Sequence, residues 1–320
     1  IESERRVVID LVIVCGDFQA VRNEHDLQCM AVPDRFRHIR TFHKYYRRDA
    51  TAPKLTLFVG GNHEAANYMQ TLAYGGWAAP NIYYMGYASV VNYRGLRIGG
   101  ISGIYDKTDE NWGHFERLPF NERTKRSAYH TRRSDIYKLM QLNAGSDGSR
   151  AQALDVMASH DWPLNIHNCG DVQQLLRQSR QMSVDVSAVR ENRLGNPLLI
   201  PLVTRLKPRH WFAAHLHVKY EAVVKHSAED PAIQTRFLAL DKVVPNRQYL
   251  DVIDVEPSLP SSGDCLQYDA EWLAILRSTD ELLSIERKCF VPDIHSRVHS
   301  VTQSDINRVK ELFDNDLTIS

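Results

Sequence analysis

Lys54-Leu55-Thr56-Leu57-Phe58-Val59-Gly60-Gly61-Asn62-His63-Glu64 joins an apolar, β-branched run to a Gly-Gly turn, then to an amide, an imidazole and a carboxylate in succession. The run has the length of a buried strand, and the glycines end it abruptly. Asn62 and His63 then stand at the carboxyl end of that strand, the edge at which open α/β sheets bind ligands. Glu64 reads as a helix-start residue. A lone Asn-His pair in such a turn is more often incidental than functional. The weighing changes because three other apolar runs end in the same kind of residue.

Residues 7–15 form a nearly continuous apolar run, read as a strand buried on both faces, and end in Gly16-Asp17. Residues 153–158 end in Ser159-His160, and 210–214 end in His215-Leu216-His217. With these strands parallel in one core, Asp17, Asn62, His63, His160, His215 and His217 converge at one edge. On a strand, side chains two apart share a face, so His215 and His217 would point the same way. Carboxylate, imidazole and amide oxygen together suit zinc, iron or manganese. A carboxylate bridging two such ions about 3.5–4 Å apart is the geometry that delivers water for in-line attack on phosphorus. Taken singly, Asp17 reads as a turn residue and His160 as a satisfied core histidine. Two imidazoles at a strand end are harder to bury without a partner.

The intervening chain is read more coarsely. Strands are expected at 82–85, 89–93 and 96–101, with a hairpin turn at Asn92-Tyr93-Arg94-Gly95. Helices are expected at 65–72, 134–142 and 197–206, a linker at 144–149, and further strands at 237–240 and 249–255. Residues 102–132 show no periodicity, and a loop of that length is usually functional or disordered. A Pro/Ser linker at 257–263 separates a mainly helical remainder. His114, His130 and His167 read as surface histidines, Asp106, Asp109 and Glu110 as a solvated acidic cluster, and Trp77 and Trp162 as packing residues.

Composition bounds the rest. The chain has 320 residues, 43% of them hydrophobic, and a formal net charge of zero. That is enough for one large core or two domains. No apolar run approaches membrane-span length, and no signal-peptide pattern opens the chain. Five scattered cysteines without a Cys-x-x-Cys argue for a reducing compartment. Charge is nevertheless patchy. Residues 35–48 carry six Lys/Arg and no carboxylate, and 117–133 carry six more against Glu122 alone. The usual meaning of such a run is a solvated face. Here Phe36, Phe42, Tyr45, Tyr46, Phe120 and Tyr129 are interleaved, a composition that also suits nucleic acid.

Gly16-Asp17, Gly61-Asn62-His63-Glu64, a later His and a terminal His-x-His resemble the calcineurin-like metallophosphoesterases. Residues 15–24, Tyr74-Gly75-Gly76-Trp77, residues 99–105, Ser159-His160-Asp161-Trp162-Pro163 and residues 214–220 resemble, within them, the RNA lariat debranching enzymes. The resemblance covers about residues 8–256 and continues weakly through 268–273. It implies a two-sheet α/β/β/α metallophosphoesterase sandwich (1–256) with a smaller, mostly helical C-terminal region (257–320). It implies hydrolysis of the 2′–5′ phosphodiester of branched intron RNA, in the nucleus and also in the cytoplasm, with one or two Fe, Zn or Mn ions. By the same resemblance Asp17 bridges two sites, Asn62, His160 and His215 complete one, and His217 belongs to the other. His63 would protonate the departing 2′ oxygen or hold the phosphate. Residues 102–132 match the family's lariat recognition loop, with His130 and Arg132 as expected RNA contacts.

One departure matters. The family opens with a strand ending in Cys-x-His, and residues 1–10 contain neither Cys nor His. An N-terminal truncation is the expected cause, and the strand would be central to the sheet. Two other readings stay open: a different phosphoesterase or nuclease of the superfamily, and an RNA-binding fragment without chemistry.

Overall fold

A computed structural model describes residues 2–143, 153–179, 184–261 and 263–320. The linker expected at 144–149 lies outside the described residues. Strands are β1 Leu11–Cys15, β2 Leu55–Val59, β3 Gly76–Ala79, β4 Ile82–Tyr84, β5 Ala88–Tyr93 and β6 Leu96–Ile101. They continue as β7 Val156–Ser159, β8 His210–Ala213, β9 Tyr220–Lys225, β10 Gln234–Ala239 and β11 Gln267–Tyr268. The helices begin with α1 Glu2–Arg5, α2 Glu24–Gln28, α3 Phe42–Tyr46, α4 Ala66–Thr71, α5 Glu122–Ser127 and α6 Arg133–Met140. The others are α7 Val172–Ser179, α8 Val186–Arg190, α9 Ile200–Leu206, α10 Ala270–Ser278 and α11 Gln303–Leu312.

The strands form two sheets, in keeping with the two-sheet expectation. Four strands lie in the order β1-β2-β4-β3, with β1, β2 and β4 parallel. Seven lie in the order β11-β5-β6-β7-β8-β10-β9, with a parallel centre from β6 to β10. The pattern of β2 shows why the sheets stack. Leu55, Leu57 and Val59 pack with Val91, Ile98, Val156 and Ala158 of the second sheet. Phe58, on the opposite face, packs with Leu27, Phe42 and Tyr68 from α2, α3 and α4. Strands covered on both faces lose alternation and read as continuous apolar runs. Beyond the larger sheet, Met157 and Trp211 meet Ile136, Leu202 and Ile275 of α6, α9 and α10. The order is helices, sheet, sheet, helices.

Strand β1 departs from its reading. All five residues are only half-buried, because β1 is the edge strand and hydrogen-bonds to β2 alone. Residues 249–255 form no strand. They run past the end of β10 with Tyr249, Leu250 and Ile253 exposed, and no described strand edge takes up their backbone. The hairpin at 92–95 is present, with Tyr93 opposite Leu96 and both Arg94 and Gly95 at positive φ. Left-handed φ at both central positions suits the twist of a two-residue hairpin.

Residues 257–320 are built into the same core. Strand β11 pairs with β5, and Trp272, Ile275, Ile294 and Val309 join the helical layer. At the junction, Arg97 of β6 is buried against Asp269 (two bonds of 2.8 Å) and Glu271 (2.7 Å).

The segment 102–132 is ordered by its own contacts. Its ends are stitched together where Ile104 N–H donates to the Tyr129 carbonyl (3.3 Å) and Thr131 N–H to the Ile104 carbonyl (2.9 Å). Within it, Asp109 is fully buried, paired with Arg123 and with His130 Nδ1 (2.6 Å). Asp109 is therefore no solvated loop residue. The three histidines read as surface residues are also placed otherwise. His167 is fully buried, His130 is buried, and His114 is half-buried, bonded to Asp135 (2.7 Å) and stacked on Tyr87.

Candidate metal centre

The site follows from register. Cys15 is level with Val59 in the small sheet, and Ile101 with Ser159 in the large one. The turns after β1, β2, β7 and β8 thus open on the same side, and β1 lies against β7 where the sheets meet. Convergence takes place across two sheets.

Each turn needs special backbone. Gly16 has φ +92° and Asp17 φ 53°, so the chain reverses through two left-handed residues directly after β1. His215 and His217 are also left-handed, with φ 63° and 55°. They lie in the turn beyond β8, not on the strand, so the shared strand face assumed for His-x-His is replaced by two reversals. Non-glycine residues in this conformation concentrate where function imposes geometry.

Close approach requires the glycines. A Cβ on Gly61 would sit 2.3 Å from Asp17 Oδ1 and 2.8 Å from His160 Nε2, and one on Gly16 would sit 2.2 Å from His160 Nδ1. In the space so opened, His160 Nε2 lies 3.1 Å from Asn62 Oδ1 and 3.4 Å from Asp17 Oδ1. The His160 and His215 rings are 4.9 Å apart. His160 Nδ1 is 2.7 Å from the Cys15 carbonyl, to which it donates. In the neutral ring that bond assigns the lone pair to Nε2, the nitrogen that faces Asp17 and Asn62, as metal-ligating imidazoles are usually arranged. The two histidine turns are locked together where Ala214 N–H donates to the His160 carbonyl (3.1 Å) and Trp162 Nε1–H to the Ala214 carbonyl (2.8 Å).

Electrostatics agree with a ligand set. Burial, and then the nearby His160, pull the His215 imidazole down to about 3, and burial also lowers His217. Both therefore stay neutral near pH 7, the form that donates a lone pair. A carboxylate, an amide oxygen and two neutral imidazoles suit a borderline divalent ion. The ligand atoms of Asp17, His160 and His215 are not all within 4.8 Å of one another. The described group with that spacing is Asp106, Asp109 and His130, whose Asp109 already pairs with Arg123 and bonds His130 Nδ1.

His63 donates its backbone N–H to Asp17 Oδ1 (2.9 Å), which fixes its position beside the ligand set, and it is only half-buried. His217 lies within electrostatic range of Asp17 and His160, and its carbonyl accepts from Arg247 (2.9 Å). Arg132 and His130 are placed differently from expectation. Arg132 has no exposure and is bonded to Glu116 (2.7 Å) and to the Ser127 and Asp109 carbonyls. His130 is buried on Asp109. Both brace the segment from inside, and neither is offered to RNA.

Glu64 was under-read. Its buried carboxylate accepts from the N–H groups of Phe18 (2.8 Å), Gln19 (2.9 Å) and Gly61 (3.2 Å). It pins the Asp17 turn to the Asn62 turn. Burial, and then the Asp17 charge, push its carboxyl up to about 7, and a cation at Asp17 would oppose the second effect.

A family model described as "Lariat debranching enzyme, C-terminal domain" matches residues 232–320. The chain is 48% identical over 319 residues to the lariat debranching enzyme of Homo sapiens, covering 97% of this chain and 56% of that protein. It is 46% identical over 327 residues to that of Gallus gallus, covering 100% and 59%, and 45% identical over 287 residues to that of Arabidopsis thaliana, covering 90% and 65%. The chain spans little more than half the length of the vertebrate relatives.

Proposed function

The chain is a homologue of the lariat debranching enzymes, and from that premise we propose that it hydrolyses the 2′–5′ phosphodiester at the branch point of excised intron RNA. The observation that carries the proposal is the meeting of Asp17, Asn62, His160 and His215 where the two sheets join. The layered fold is read as a metallophosphoesterase sandwich running to about residue 256, with the C-terminal region beyond it. A substrate made where introns are excised supports a nuclear reading, with the cytoplasm as a second location.

Asp17, Asn62, His160 and His215 would hold one divalent ion (Fe, Zn or Mn), with Asp17 and His217 facing a second position. Such an ion supplies Lewis acidity at the phosphate and lowers the pKa of water. The protein's own part is orientation and proton handling. The Cys15 carbonyl holds His160 in one tautomer, and Glu64 holds the Asp17 turn against the Asn62 turn. His63, tethered through its backbone to Asp17 and half-buried, would give a proton to the departing 2′ oxygen. An imidazole is suited to that role because it titrates near neutrality.

The test is cleavage of a branched RNA, its linear counterpart and a small aryl phosphodiester, with Mn2+ and after chelation. Metal-dependent cut of the branch alone is expected. His63→Ala should lower the rate by about 10²–10⁴ while metal content is unchanged. Equal cleavage of all three substrates would favour a general phosphoesterase. RNA binding without any cleavage would favour a binding module. A His63→Ala variant at the parental rate would remove the acid role.

A further inference from the structure

A branched RNA leaves its branch nucleotide in three directions, so an active site of the kind above must be flanked by surfaces that hold polyanion limbs. Residues 35–48 concentrate charge in a chain whose net charge is zero, with six Lys/Arg and no acid. Arg35, Arg40, Lys44, Arg47 and Arg48 are all exposed, and none has a carboxylate partner among the described residues. Arg37 is the exception, paired with Asp34 (2.6 Å). Two large aromatics stand open among these cations, Phe36 at 57% and Tyr46 at 46% exposure. Arg35 lies over the Phe36 ring at 4.9 Å.

The segment is also joined to the candidate centre by packing. Phe18, next to Asp17, stacks on Phe58 of β2 (4.3 Å) and meets Phe42 of α3 edge-on (5.9 Å). Arg22, further along the same loop, lies 5.5 Å from the Tyr46 ring. Helix α5 lies within electrostatic range of the segment. The Glu122 carboxyl is held below its usual range first by its bond to Lys125 and further by the charges of Arg37 and Arg126. Just beyond α5 the chain reaches the centre, since the Tyr129 carbonyl accepts from Ile104 N–H (3.3 Å) and the adjoining Gly103 N–H donates to the Gly60 carbonyl (2.8 Å). The segment that carries the exposed cations is therefore packed, through Phe42 and Phe18, onto the turn that bears Asp17.

We propose that residues 35–48 form a phosphate track for one limb of a branched RNA, with Arg40, Lys44, Arg47 and Arg48 on the backbone and Phe36 as a stacking platform. The proposal rests on the debranching reading and extends it to a surface that reading does not use. Unpaired exposed cations release counterions when they meet phosphates, and an exposed ring among them accepts any base. An acidic protein would satisfy the charges but would have no need of open rings spaced between them.

The experiment is RNA binding by fluorescence anisotropy in chelating buffer, across a salt series. The probes are a branched RNA with long limbs and a branched trinucleotide. The variants are Arg40→Ala/Lys44→Ala/Arg47→Ala/Arg48→Ala and the charge-keeping Arg40→Lys/Arg47→Lys/Arg48→Lys. Expected is a loss of tenfold or more for the long-limbed RNA with the alanine variant, and a salt slope shallower by about 3. The trinucleotide should be unaffected, and the lysine variant should bind as the parent does. Unchanged affinity and slope in a folded alanine variant would overturn the track and leave the segment a solvated or protein-docking face. A parent chain that binds neither probe would instead overturn the debranching reading, and the track with it.

Discussion

Gly61→Ala is expected to lower cleavage of branched RNA by about 100-fold and metal affinity by at least tenfold, although it adds a single methyl group. The new Cβ would lie 2.3 Å from Asp17 Oδ1, 2.5 Å from the Asp17 amide nitrogen and 2.8 Å from His160 Nε2. Real Cβ contacts do not become so short, so the Asn62 turn, the Asp17 turn or His160 must move. None can move freely. The Asp17 turn is held by Glu64, His160 by the Cys15 carbonyl, and Gly60 by Ser102 Oγ (2.8 Å). A displacement on the order of 1 Å in a positioned site costs about two orders of magnitude in rate. The checks are steady-state cleavage and Mn2+ affinity. Values within threefold of the parent would show that the turn yields, and that its tight geometry is not what organises the ligands.

Arg97→Met is expected to destabilise the protein by about 3–5 kcal/mol. Arg97 is 3% exposed, and its guanidinium bonds both oxygens of Asp269, one of Glu271 and the Ala153 carbonyl. Removing the cation leaves the buried Asp269 and the half-buried Glu271 without their cationic partner. The loss would be felt where the sheet meets the C-terminal region, since Asp269 also caps α10 through the Trp272 N–H and accepts from Asn92. Urea unfolding measures the effect. The combined Arg97→Met/Asp269→Asn/Glu271→Gln variant should recover much of it, because Asn can still cap the helix. A single substitution within 1 kcal/mol of the parent would contradict this.

The two predictions differ in how far the sequence announces them. Gly61 and the residues after it are legible because an apolar run, a glycine turn and polar side chains follow one another in a few residues. The same holds for His160, whose strand and turn are contiguous. Arg97 and Asp269 stand 172 residues apart, and no local pattern joins them. The edge position of β1 was equally hidden, since Val-Ile-Val reads the same whether a strand has two neighbours or one. His215 and His217 stand out by their spacing after a strand, but their left-handed backbone cannot be inferred from a His-Leu-His string. His130, Arg132 and Asp109 show the reverse error. In a polar, aperiodic stretch, charged residues read as exposed, whereas here all three are buried, Arg132 on Glu116 and Asp109 on Arg123 and His130. Glu64 was discounted for a similar reason, because its partners are backbone N–H groups that carry no sequence signal.

The central claim is that Asp17, Asn62, His160 and His215 form a divalent-metal centre. Equilibrium dialysis of the stripped chain against Mn2+, in parallel with Asp17→Ala, His160→Ala and Asp109→Ala, tests it most directly. The prediction is at least one ion per chain, with affinity reduced tenfold or more by Asp17→Ala and His160→Ala and unchanged by a folded Asp109→Ala variant. An ion retained in Asp17→Ala and lost in Asp109→Ala would move the centre to the Asp106–Asp109–His130 cluster and contradict the account.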